Sequence, residues 1–142
     1  MIAACALLML IEVPMAKPPE PLEEIFPLTS IIVDAEVKEV KSTEPADPKQ
    51  EGAPPQVLVL TIKKIVRGTA KLSDAEKQAN EIVVTKPRAP YAVRAGIKGP
   101  WLLSVDEKTG ARTVLGRYGP DSWRMDKIEE KLAALKPANL AP

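Results

Sequence analysis

Histidine is absent from this 142-residue chain, and cysteine occurs once, as Cys5. Without imidazole there is no Ser-His-Asp triad, no Cys-His pair and no histidine metal ligand. One cysteine cannot close an internal disulfide, and Cys5 sits inside an apolar N-terminal run. If that run is removed, the remaining chain has no thiol chemistry, and a disulfide-stapled secreted scaffold is excluded. Aromatic residues are scarce at 4%, with one Phe, two Trp and two Tyr, so the core has to be largely aliphatic. An excess of charge is missing too. Twenty Lys plus Arg face nineteen Asp plus Glu, which gives no broad electrostatic reason to bind nucleic acid or acidic lipid. No apolar run reaches the roughly 20 residues that a membrane-spanning helix needs.

What is present fits one soluble domain. The length suits a single core that buries about two thirds of the unfolded chain's surface. Apolar residues at 45% and charged residues at 27% are ordinary for a globular protein. The fifteen prolines are clustered, and they mark irregular segments. Residues 2–11 (IAACALLMLI) are uncharged and mostly apolar, the length of a signal-peptide core, and small or turn-prone residues up to Ala16 follow. A signal segment over 1–16, cleaved after Ala16, is therefore expected, and with it export to the periplasm, cell surface or medium. The Ile2-Ala3-Ala4-Cys5 run has lipobox character. In a lipobox, however, the cysteine ends the apolar run, and here it begins it, so lipid anchoring is not expected.

Downstream, the expected organisation is a proline-rich leader over 17–28, one β domain with a C-terminal helix over 29–136, and a tail over 137–142. In the leader, Leu22, Ile25 and Phe26 are the residues able to dock onto the domain. Residues 29–41 alternate, with Ile31, Val33, Ala35 and Val37 on one face and Asp34, Glu36 and Lys38 on the other. Alternation with one wet face indicates an antiparallel strand. A proline-rich loop follows over 42–55. Residues 56–67 (QVLVLTIKKIVR) read as the strongest strand, with Leu58, Leu60, Ile62 and Val66 on one face, Val57, Val59 and Ile65 on the other, and Gly68 as its end. Ser73-Asp74-Ala75-Glu76 is a capping-box pattern opening a short polar surface helix. Strands are expected at 81–86, 100–106 and 111–118, with a Gly110 turn between the last two and an irregular loop over 87–99. Asp126-Lys127-Ile128-Glu129 reads as a second capping box. The helix it opens runs to about residue 136, with Ile128, Leu132 and Leu135 as a docking stripe.

The run IIVDAEVKEV, a proline-rich gap, VLVLTIKKIVRG, then EIVV and GPWLLSV resembles a class of exported bacterial proteins of unknown function. These have an OB-like barrel similar to metalloproteinase-inhibitor and netrin-type modules. The likeness covers residues 29–118 and includes the Arg67-Gly68 pair that closes the long second strand. It implies a mainly β fold, a five-stranded antiparallel OB-like barrel, with an open meander as the alternative because the short helix falls between the second and third strands. Those inhibitors reach a protease zinc through an N-terminal cysteine. The mature chain has none, so that mechanism does not transfer.

The chemistry-bearing patterns are few. Asp34 and Glu36 share a strand face about 7 Å apart, within reach for acid-base work but balanced by Lys38. Ser104 and Lys108 are four apart, with a turn between them. Gly96-Ile97-Lys98-Gly99 has the GXXG form of a nucleic-acid clamp but precedes a strand instead of joining helices. Asp106-Glu107-Lys108-Thr109-Gly110 lacks the ligand density of a cation loop. No catalytic residue, metal site or cofactor is expected. One surface stands out: between Glu81 and Asp106 there is no acid, and Lys86, Arg88, Tyr91, Arg94 and Lys98 place cations beside a ring, with Trp101 following. Such a surface suits polyanions, carbohydrate or single-stranded nucleic acid. The leading expectation is a non-catalytic exported module that binds a protein or envelope component. The alternative is an OB-like domain binding polyanions, nucleic acid or carbohydrate through the basic-aromatic loop at 86–101.

Overall fold

The computed structural model describes residues 17–135. The expected signal segment 1–16 with Cys5, the expected helix end at residue 136 and the expected tail 137–142 lie outside these residues. Five strands form a closed barrel: β1 (Ile31–Thr43), β2 (Gln56–Arg67), β3 (Glu81–Lys86), β4 (Lys98–Val105) and β5 (Arg112–Val114). The order around the barrel is β1-β2-β3-β5-β4, returning to β1. The OB-like expectation holds, and the open meander is excluded.

The purely antiparallel expectation needs correction. Strands that alternate up and down around a ring close only in even numbers, so a ring of five must contain one parallel seam. That seam lies between β3 and β5, with the single pair Thr85–Thr113. A side-chain clasp reinforces it. Arg112 on β5 donates two hydrogen bonds, of 2.7 and 2.8 Å, to the Glu76 carboxylate and one of 2.9 Å to the Lys71 carbonyl. Glu76 lies in α2 (Asp74–Ala79), whose capping box forms as expected. Ser73 Oγ accepts from Glu76 N, and Glu76 Oε1 accepts from Ser73 N.

The interior is built from the alternating positions of the strands. Ile31, Val33, Ala35 and Val37 of β1 meet Leu58, Leu60 and Ile62 of β2, and Ile82, Val84, Trp101, Leu103 and Val114 complete the fill. Farther along β2 the phase differs from simple alternation, because Ile65 joins this interior while Val66 points outward. The register explains it: Val33 pairs with Ile65 and Ala35 with Ile62, so β2 carries extra residues at Lys63 and Val66. Each such bulge shifts the inward phase by one residue and bends the strand towards closure. Gly68 ends β2 with φ +90°, and a Cβ there would lie 2.2 Å from the Ser30 carbonyl oxygen.

A second core covers the outside of the wall. Ile32 and Leu102, the outward neighbours of core residues, are fully buried beneath Leu22, Ile25, Phe26 and Ile128. The proline-rich leader is therefore packed onto the barrel. Its Leu22, Ile25 and Phe26 dock, as their spacing allows, because they share one side of α1 (Leu22–Ile25) and the following 3-10 turn Phe26–Leu28. The C-terminal helix α3 (Met125–Ala134) supplies Ile128, with Leu132 and Leu135 packed alongside. Its N-cap is Arg124, not Asp126, and no side chain caps it. Asp126 falls inside the first turn, where its carboxylate accepts from Lys127 N at 2.9 Å and faces the positive end of the helix.

Several strand limits also differ from expectation, and β1 spans 31–43 instead of 29–41. β4 begins at Lys98 and so includes Pro100, which is tolerated because only β1 flanks the strand at that position. β5 stops at Val114 instead of 118, since Gly116 takes φ +99° and turns the chain towards the 3-10 turn Gly119–Asp121.

Candidate functional site: the cleft at the end of β3

The β3–β4 connection is an irregular plug over one end of the barrel. Val93 is buried in the core, and the Gln56 side chain holds it at both ends of its amide. Val93 N donates to Gln56 Oε1 at 2.8 Å, and Gln56 Nε2 donates to the Val93 carbonyl at 2.9 Å. Two more bonds tie the loop to β1, from Val37 N to Ile97 O and from Gly96 N to Val37 O, each 2.8 Å.

Lys86 is the last residue of β3. The inward phase of Ile82 and Val84 therefore carries its side chain into the barrel end, where the residue is 0% exposed. Its amine donates to the carbonyls of Pro87 and Tyr91, at 3.1 and 3.0 Å, and lies 4.6 Å from the centre of the Tyr91 ring. Burial lowers its pKa from the ordinary lysine value, and the nearby Arg88 charge pushes the same way. Arg88 is half-buried, and its Nη1 is shut off from solvent with no hydrogen-bond partner. No carboxylate among the described residues lies within ion-pair distance of Lys86, Arg88 or Arg117. Burial raises the Tyr91 pKa well above the ordinary phenol value, and the Asp121 charge adds to this.

These groups border an open cleft of about 420 Å³. One wall is the loop Pro87–Tyr91, and the opposite wall is the end of β5 through Arg117. The docked leader supplies the third wall with Glu20, Ile25 and Leu28. The leader is fastened here by several bonds. Arg117 N donates to Glu20 Oε1 at 2.9 Å, Trp123 Nε1 donates to the Glu20 carbonyl at 2.8 Å, and the Arg117 and Tyr118 side chains donate to the carbonyls of Pro18 and Lys17. Leu28 is 56% exposed at the rim, one of two large apolar residues exposed among the described residues.

The five residues of the sequence-defined surface are thus divided. Lys86, Arg88 and Tyr91 share this cleft. Arg94 is exposed on the turn beyond Val93, and its carbonyl accepts from Ile97 N. Lys98 pairs with Glu36 at 3.5 Å and borders a separate hollow of about 380 Å³ beside Trp123 and Arg124. Trp101 is not part of any surface. It is 0% exposed, and its Nε1 donates to the Ala35 carbonyl at 3.2 Å. Arg117, Glu20 and Leu28 join the cleft without any signal in the sequence, because Arg117 reads there as a strand residue and the other two belong to a leader distant along the chain.

Other candidates resolve into local roles. Asp106 Oδ1 accepts from the backbone of Lys108 and Thr109, so its carboxylate shapes the β4–β5 turn. Asp34 and Glu36 lie on the outward face of β1, and Glu36 is the acid that meets Lys98. Gly96 sits in a turn and Gly99 within β4, so the GXXG residues do not form a helix-joining loop. Among the described residues, no group of three His, Cys, Asp or Glu side chains converges as a metal site, and no helix is long and apolar enough to cross a membrane. No protein-family model and no curated protein matches the chain.

Proposed function

We propose that this chain is an exported, non-catalytic binding module of the OB-like, netrin-resembling kind, and that its cleft at the end of β3 holds an anionic group of an extracytoplasmic partner or envelope component. The observation that carries this reading is the pair of fully buried Lys86 and half-buried Arg88, which has no carboxylate within ion-pair distance. Buried charges in proteins are paired or neutralised, since an uncompensated one costs several kcal/mol. An incoming anion supplies the missing charge. The Arg88 side chain lines the cleft and makes no ion pair among the described residues, and hydrogen bonds between ionised groups are about twice as strong as neutral ones. Two residues of the sequence-defined basic surface, Arg94 and Lys98, lie outside the cleft, which favours a compact anion over an extended polyanion. The apolar run over 2–11, followed by small or turn-prone residues up to Ala16, supports export.

Amide chemical shifts of the purified protein, titrated with acetate and with inorganic phosphate at constant ionic strength, test this. Saturating shifts confined to residues 86–91 and 115–117, lost in Arg88→Ala, are expected. Shifts spread over all basic surfaces without saturation would overturn the reading.

A further inference from the structure

Resting on the anion-binding reading above, we propose that the natural occupant of this cleft is an amphipathic monoanion. Its carboxylate sits at Arg88, and an aliphatic chain runs over Leu115 and Ile25 to Leu28. Three features carry the inference beyond a bare anion. The first is the exposed Leu28, which lines the same cleft as the apolar side chains of Ile25 and Leu115. An exposed leucine alone is ordinary, but one that lines a cleft with other apolar side chains gains by being covered.

The second is the shortage of main-chain partners in the loop wall. Pro87 and Pro90 have no N–H to give. The carbonyls of Pro87 and Tyr91 already accept from Lys86. Ala89 uses both its N–H and its carbonyl in the bridge to Ala53. A peptide laid in this cleft would leave much of its own backbone without partners there, whereas an aliphatic chain asks for none. The third is size. At roughly 30 Å³ for each small group, about 420 Å³ accommodates a ligand of roughly a dozen non-hydrogen atoms, at the small end of ligand sites. The acid in the cleft, Glu20, is directed to the Arg117 amide and leaves Arg88 without a competing partner.

Calorimetric titration of the purified protein with butanoate, hexanoate, octanoate and 1-octanol, at fixed ionic strength, tests the proposal. Each added methylene should tighten binding about two- to fourfold. 1-Octanol should bind at least about tenfold more weakly than octanoate, and Arg88→Ala should cost octanoate about tenfold or more. Leu28→Ser, an uncharged change at an exposed position, should weaken octanoate more than butanoate. If butanoate and octanoate bind equally and both still depend on Arg88, the apolar track is wrong and the anion reading stands. If 1-octanol matches octanoate, if Arg88→Ala changes nothing, or if none of the probes binds, the anion reading fails with it. A short peptide ending in leucine with a free carboxylate that binds tenfold tighter than octanoate would overturn the aliphatic assignment and pass the cleft to a peptide C-terminus.

Discussion

The barrel interior and the outer cap are both hydrophobic cores, and they are assembled in different ways. The interior takes its side chains from inward strand positions, so each strand contributes a small share of one shared volume. The cap joins two residues of the wall, Ile32 and Leu102, to α1 and α3, segments that lie on either side of the barrel in the sequence. The interior is thus fixed by many strand pairings at once, whereas the cap depends on two short pieces of chain that could detach and leave a barrel behind. The cleft lies at the border of the two, with a loop wall from the barrel and a leader wall from the cap.

The largest effect is expected inside. Trp101→Ala removes the bulkiest interior side chain and leaves the Ala35 carbonyl without its indole partner, at a cost of about 3–5 kcal/mol. Urea denaturation should show that loss as one transition, with every probe shifting together. In the cap, Ile128→Ala should cost about 2–3 kcal/mol, the lower part of the range for such truncations, because a helix at the surface can settle into the gap. Hydrogen exchange should then show α1 and α3 opening while the amides of β1 to β4 stay protected. Equal loss of protection in the barrel would mean that the two cores are one cooperative unit, and the contrast drawn above would break.

The smallest effect concerns pH and is read at the barrel end. Lys86 has a lowered pKa, so the unfolded chain holds that proton more tightly, and stability should rise as the pH climbs towards the ordinary lysine value of 10.5. Tyr91 has a raised pKa, so the folded chain holds that proton more tightly, and its contribution should be lost as the pH rises past 10. Denaturation midpoints between pH 8 and 11, a range of about 3 units around these values, should rise and then fall. Lys86→Met should remove the rise and Tyr91→Phe the fall. Profiles that both variants leave unchanged would show that the barrel end does not sense pH through these groups.

Much of the barrel was legible from periodicity. β2 and β3 begin and end where their alternation and flanking residues place them, and the Ser73 capping box forms as written, because these features depend on neighbours in the chain. The face of Ile65 and Val66 was not legible, since a bulge is defined by the partner strand and leaves no mark on composition. The start of α3 was likewise misplaced, because Asp126 serves equally well as a cap or within the first turn, and the chain path out of the 3-10 turn at Gly119 decides between them.

By itself, then, the sequence determined the kind of chemistry open to this protein and the inward and outward faces of most strands, for both follow from residue types and spacings of two. Tertiary structure alone decided that the ring of strands closes with a parallel seam and that the leader becomes a wall of the cleft. It also decided which of five candidate side chains meet there. Each of those outcomes depends on contacts between segments tens of residues apart, and local pattern carries no information about which distant segment will be buried against which.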